Sequence, residues 1–128
     1  MPLVLAQSAS PLKSLGAHNA LADACETIKT QGFSPVMTYD PYTKEVDVYG
    51  AILLAFGASE KLLAQGNTEP EESGVPLYRC ALVRATVDYF ESVIGNEISV
   101  WCESQSQQSA ISTLKYVSDR IAISIGLP

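Results

Sequence analysis

The sequence predicts a mainly α protein, a compact bundle of four to five helices with a small β-hairpin or extended turn between the first two. Two observations carry that expectation. Apolar residues recur at the spacing of one helix face near 17–31, 77–94 and 111–125, and a glycine follows each of the three (Gly32, Gly95, Gly126). Between the first two helical segments the period changes, with an Asp40-Pro41 turn signal between two short runs, 36–39 and 45–48, the second alternating apolar and acidic residues. A composition of 47% apolar and 17% charged residues belongs to a globular protein. At 128 residues the chain reads as one domain, able to bury roughly 65–70% of its unfolded surface without staples. Residues 1–16 read as a lead-in and 17–128 as a single helical domain.

The first helix is expected over 17–31. Leu21, Ala24, Cys25 and Ile28 form its stripe, Asp23, Glu26 and Thr30 lie off it, and Gly32 is the C-terminal cap. Ser10-Pro11 offers an earlier cap and start, but the periodicity is sharp only from about Ala17. In the following stretch Asp40-Pro41 favours a type I turn, flanked by short runs at 36–39 and 45–48. A small hairpin there must lean on the helices, because two strands alone are marginal in water.

Residues 48–56 are dense in apolar side chains and predict a short helix buried on most sides, with Gly50 its one weak point. Ser59 before Glu60-Lys-Leu-Leu adds a further turn or two ending near Gly66. The loop 67–75, with Glu69, Glu71 and Glu72, reads as exposed and mobile. Pro76 then opens a long helix with a stripe of Leu77, Ala81, Ala85, Tyr89 or Phe90, and Val93, and with an Arg84–Asp88 pair outside.

A joint holding the only tryptophan separates this helix from the last one. Ser104, with Gln107 at capping-box spacing, or Ser106 caps the last helix. Its stripe is Ile111, Leu114, Val117 and Ile121, with Lys115–Asp119 as an outer pair. The two long helices are expected to pack antiparallel about a mostly buried Trp101, a structural anchor whose indole N–H is hydrogen-bonded.

Leu-Ala-Asp-Ala followed by Gly-Phe, Tyr-Gly-Ala-Ile-Leu-Leu-Ala, and Ile-Ser-Val-Trp-Cys-Glu before a polar spacer together resemble a family of small uncharacterised helical actinobacterial and actinophage proteins. The likeness runs from about Leu21 to Leu114. Cys102-Glu103 stands where that family shows an Asn-Asp pair after the tryptophan, and Tyr49-Gly50 lacks the family's preceding cysteine. The resemblance implies a helical domain and no activity.

The charge of −6 is uneven, with half of it on Glu69, Glu71 and Glu72. Without clustered Lys and Arg there is no footprint for a phosphate backbone, so direct nucleic-acid binding is not expected. Nor do 14 acids in 128 residues suffice to imitate one. No apolar run is long enough to span a bilayer, and the N-terminal apolar run is short and lacks a basic residue before it; no membrane association and no signal peptide are expected. Three widely spaced cysteines suggest neither a disulfide framework nor a thiolate metal site, and point to a reducing, cytoplasmic setting. With one histidine, His18, and no phosphate-binding glycine motif or nucleophile elbow, common enzyme machinery, metals and cofactors are not expected.

Asp40, Glu45 and Asp47 could act as acids and bases, and Cys102 beside a helix start could be a nucleophile; a solvated turn and a structural thiol are the plainer alternatives. The favoured expectation is a non-enzymatic protein-binding module, with an unidentified protein partner meeting Tyr39, Tyr42, Glu69, Glu71 and Glu72. A small hydrolase or transferase, or a subunit forming homo-oligomers through the apolar run 121–128, are the alternatives.

Overall fold

Six helices, three of them opened by side-chain caps, form among residues 11–126, the part of the chain that the computed structural model describes. These are α1 (Pro11–Gln31), α2 (Val48–Ala55), α3 (Glu60–Ala64), α4 (Leu77–Ile94), α5 (Ile98–Cys102) and α6 (Gln107–Ser124). Asp47 Oδ1 accepts from the Gly50 N–H at 2.7 Å and starts α2. Ser59 does the same for α3. At the start of α6, Ser106 Oγ accepts from the Ser109 N–H and Ser109 Oγ accepts from the Ser106 N–H. Ser106 is therefore the cap, with a serine and not a glutamine completing the box. Gly95, at φ 74°, takes the left-handed turn that ends α4.

The first helix starts six residues before the position where periodicity becomes sharp. Proline opens it at 11, in accord with the Ser10-Pro11 pattern, and Gly32 closes it with its N–H donating to the Ile28 carbonyl at 2.8 Å. Residues 1–10 of the expected lead-in lie outside the described part.

The expected hairpin is an extended turn instead. Tyr39 bridges Val46 antiparallel and Phe33 bridges the same Val46 in parallel, and no further ladder forms. The alternation at 45–48 stops after one bridge because Asp47 leaves the strand path to cap α2. Both Val46 and Val48 are buried, and so is Asp47 at 4% exposure, so the alternating pattern never separates a wet face from a dry one.

The hydrogen bonds between α1 and α6 fix their direction. His18 meets Ser118, Cys25 meets the Ile111 carbonyl and the Phe33 N–H meets Gln107, so numbers rise along one helix as they fall along the other. The pair is antiparallel, and α1 packs its other side on α2. Leu21, Ile28, Ile52, Leu53, Leu114 and Ile121 are all fully buried in the core these three helices share.

The partner of α6 is thus chiefly α1 and not α4, contrary to the expected pairing of the two longest later helices. The inward side of α4 matches the predicted one at Tyr89 and Phe90 but not at its start. Cys80, Val83, Thr86, Tyr89 and Phe90 are buried, while Leu77 is 78% exposed and Ala81 faces solvent. Thr86 tolerates burial because its hydroxyl donates to the Leu82 carbonyl one turn back, at 2.7 Å. In α6 the expected stripe holds at Leu114, Val117 and Ile121, joined by Ala110, with Ile111 only half-buried. The Lys115–Asp119 pair forms at 3.6 Å. No described helix is long and apolar enough to cross a membrane.

Candidate functional site

The turn between α1 and α2 holds exposed apolar side chains on a fixed backbone. The Ser34 N–H donates to the Val46 carbonyl at 2.9 Å, and the Asp40 N–H to the Glu45 carbonyl at 2.8 Å. Asp40 Oδ1 accepts from the Tyr42 and Thr43 N–H groups, which holds its carboxyl below the usual carboxylate range. Lys44 takes a left-handed conformation at φ 68°, and its N–H donates to the Asp40 carbonyl. From this frame Tyr42 projects at 94% exposure, Val36 at 78% and Met37 at 42%.

Tyr39 does not belong to that surface. It is buried, and its hydroxyl lies 3.2 Å from Glu60 Oε1, so its ring anchors the turn to α3. Tyr49 is likewise committed, donating to the Thr68 carbonyl at 2.8 Å. Sequence reasoning found Tyr42 but took Val36 and Met37 for strand residues; the neighbouring Pro35, which cannot donate to a ladder, was the signal against a strand.

The glutamate loop is tied down more firmly than its composition suggests. The Ser59 N–H donates to the Ser73 carbonyl at 2.7 Å, and Pro70, Ser73 and Val75 are buried. Arg84 forms a two-pronged bond to Glu71, 2.6 Å on each arm, and reaches Glu69 at 3.5 Å. This replaces the expected Arg84–Asp88 pair, because a planar guanidinium gains two aligned bonds from a carboxylate across the loop. The contact draws the Glu71 carboxyl down to about 2. Of the three glutamates, Glu72 alone has no ion pair among the described residues.

Two of the three acids named as acid–base candidates, Asp40 and Asp47, have structural duties, and the Glu45 carboxyl makes no ion pair among the described residues. Asp40 orders the turn and Asp47 caps α2, while burial pushes the Asp47 carboxyl up to about 6. Cys102 is fully buried, and burial raises its thiol to about 12, so the helix start beside it leaves no accessible thiolate. All three cysteines are unpaired and buried, and no cluster suited to a metal ion occurs among the described residues.

His18 and Ser118 form the one serine–histidine contact among the described residues, with Ser118 Oγ 2.7 Å from His18 Nδ1. The serine is 2% exposed, and its hydroxyl also lies 2.9 Å from the His18 carbonyl. Nδ1 in turn lies 2.8 Å from the Ser118 carbonyl. With the Nδ1–H tautomer, both donors end on carbonyls, which makes the pair a clasp between α1 and α6 with no reachable nucleophile.

Trp101 is half-buried on α5, with its ring edge-to-face against Phe90 at 5.7 Å between centroids. The expected burial between the two long helices and the indole hydrogen bond are not found among the described residues; the joint is helical, so the tryptophan packs on one side only. Trp101→Leu is expected to cost about 1 kcal/mol in urea unfolding, the worth of one aromatic pair. A loss near the roughly 3–5 kcal/mol of a fully buried aromatic would contradict the half-buried placement.

No protein-family model, curated protein or solved structure compared with the chain matches it.

Proposed function

We propose that the protein is a non-enzymatic protein-binding module, an accessory or phage-encoded modulator of a host protein, that presents the 33–46 turn to its partner. The observation that carries this reading is the exposure of Val36, Met37 and Tyr42 on a backbone already held by hydrogen bonds. Large apolar side chains in water forgo burial, and a partner restores it. Tyrosine and methionine are enriched in such contacts, and an ordered turn has little conformational freedom left to lose on binding. Glu72, without an ion pair among the described residues, supplies acidic character to the same protein's surface, whereas Tyr39 supports the turn through its bond to Glu60.

The test is capture from a host lysate with the tagged protein, comparing wild type with Val36→Ser/Met37→Ser/Tyr42→Ser. The double variant Leu77→Ser/Tyr78→Ser changes exposed apolar residues elsewhere and serves as the control. One or more proteins retained by wild type and control, and at least tenfold depleted with the triple variant, is the expected result, a difference of about 1.4 kcal/mol or more. Equal retention by the triple variant, or nothing above background with wild type, removes the proposal.

A further inference from the structure

Clefts on the surface of the described residues differ in whether their charges are already spent. Between α1 and α6, in a cleft of about 240 Å³, Lys29 is paired with Glu26 and Lys115 with Asp119. In the cleft of about 260 Å³ beside the glutamate loop, Arg84 is held on both arms by Glu71. The third, also about 260 Å³, lies where α1, the end of α2 and α4 meet. Its walls carry Asp23 from α1 and Arg79 from α4, and neither has an ion pair among the described residues.

We infer that this third cleft binds a small zwitterion, an amino acid with an apolar body, its carboxylate on Arg79 and its ammonium on Asp23. Opposite charges that share a cleft without meeting each other leave room for a ligand carrying the complementary pair. The guanidinium is pre-positioned: Arg79 Nη1 donates to the Phe56 carbonyl at 3.3 Å, and the group lies 5.6 Å from the centre of the Tyr78 ring. One arm is thereby used and the remaining N–H groups are open to a carboxylate, whose planar geometry the fork matches. Asn19, on the same wall as Asp23, has a side-chain amide with no hydrogen bond among the described residues. Apolar side chains, buried Ala20 and Phe56 and half-buried Leu82, share the lining with the polar groups. Small-ligand sites join apolar surface to a few polar groups, and a volume just below their usual range suits a ligand as small as an amino acid. The site shares no residue with the 33–46 turn, so it stands or falls independently of the protein-binding reading.

The test is a titration of the ¹⁵N-labelled full chain by NMR with L-leucine and with 6-aminohexanoate, which place the two charges at short and long separation. Isoamylamine and isocaproate, the two single-charge halves of leucine, are the controls. The expected result is saturable shifts of the amides around residues 19–23 and 79–82 with at least one amino acid, at a Kd on the order of 1 mM. Each half should bind at least about tenfold more weakly, and Arg79→Gln and Asp23→Asn should each weaken the amino acid by a similar factor while leaving the far-UV circular dichroism unchanged. Both side chains are exposed, so neither change threatens folding. Absence of saturable shifts with both amino acids, a half ligand binding as tightly as the whole, or unaltered affinity in both variants overturns the inference.

Discussion

Gly50→Ala is expected to destabilise the protein by about 2 kcal/mol or more, although alanine is the better helix former by about 1 kcal/mol. Gly50 lies in the first turn of α2, where the Thr38 carbonyl comes down onto its Cα. A Cβ there would overlap the Thr38 carbonyl oxygen and crowd its carbonyl carbon, and backbone cannot rotate aside as a side chain can. The same carbonyl accepts from the Asp47 N–H at 3.3 Å, so displacing it also loosens the cap and the 33–46 turn. Urea unfolding should show the midpoint falling with little change of slope, and the triple serine variant of the turn should have less left to lose in partner capture. A Gly50→Ala protein as stable as wild type would mean that α2 and the turn do not approach as closely as described.

Asp47→Asn is expected to raise stability at pH 7.5 by up to about 3 kcal/mol and to change it little at pH 4. The Asp47 carboxyl is buried and sits at about 6 in the folded chain against 3.8 when exposed, chiefly because burial disfavours its charge and despite hydrogen bonds from the Gly50 and Tyr49 N–H groups. Between those two values the folded chain holds a proton that the unfolded chain has released. Stability from this group is therefore fully present below about pH 4 and is lost as the pH rises through about 6. Asparagine caps a helix as well as aspartate does and stays neutral throughout. The difference between the two proteins in urea unfolding at pH 4, 6 and 7.5 isolates the effect from Glu71 and Asp40, whose carboxyls are shifted downward and act in the opposite sense. A difference that does not grow with pH would show the Asp47 carboxylate to be well solvated.

Where one residue type has one physical role, the sequence was readable. Gly32 and Gly95 end helices, Ser59 and Ser106 begin them, and Leu114, Val117 and Ile121 mark a single buried stripe. The stripe of α4 was readable only at Tyr89 and Phe90, because apolar residues surround that helix and Thr86, whose hydroxyl closes on its own backbone, enters the core at small cost. Gly50 looked like a weakness in α2 because the carbonyl it admits comes from twelve residues earlier, a proximity that no local pattern encodes. Asp47 looked like one of a group of turn acids, yet a position between two buried valines was the available sign of its burial. For the candidate surface, Tyr42 was legible from its place after Asp40-Pro41, whereas Arg79 and Asp23 come together only through the packing of α1 near α4.

The clasp between His18 and Ser118 joins residues 100 positions apart, and it has a consequence for the order of events in folding. One side of α1 can be covered early, by α2, which follows within a short stretch of chain. The side carrying Cys25 waits for α6, the last helix described, and until then its apolar stripe is open to water or to other chains. Closing so long a loop costs entropy before any contact rewards it, so the α1–α6 seam should be among the last parts to form and should make this helical protein a slower folder than a bundle of sequential hairpins. During synthesis the ribosome must deliver the chain through α6 before the first helix is shielded on both sides, which leaves the earlier part exposed in the meantime.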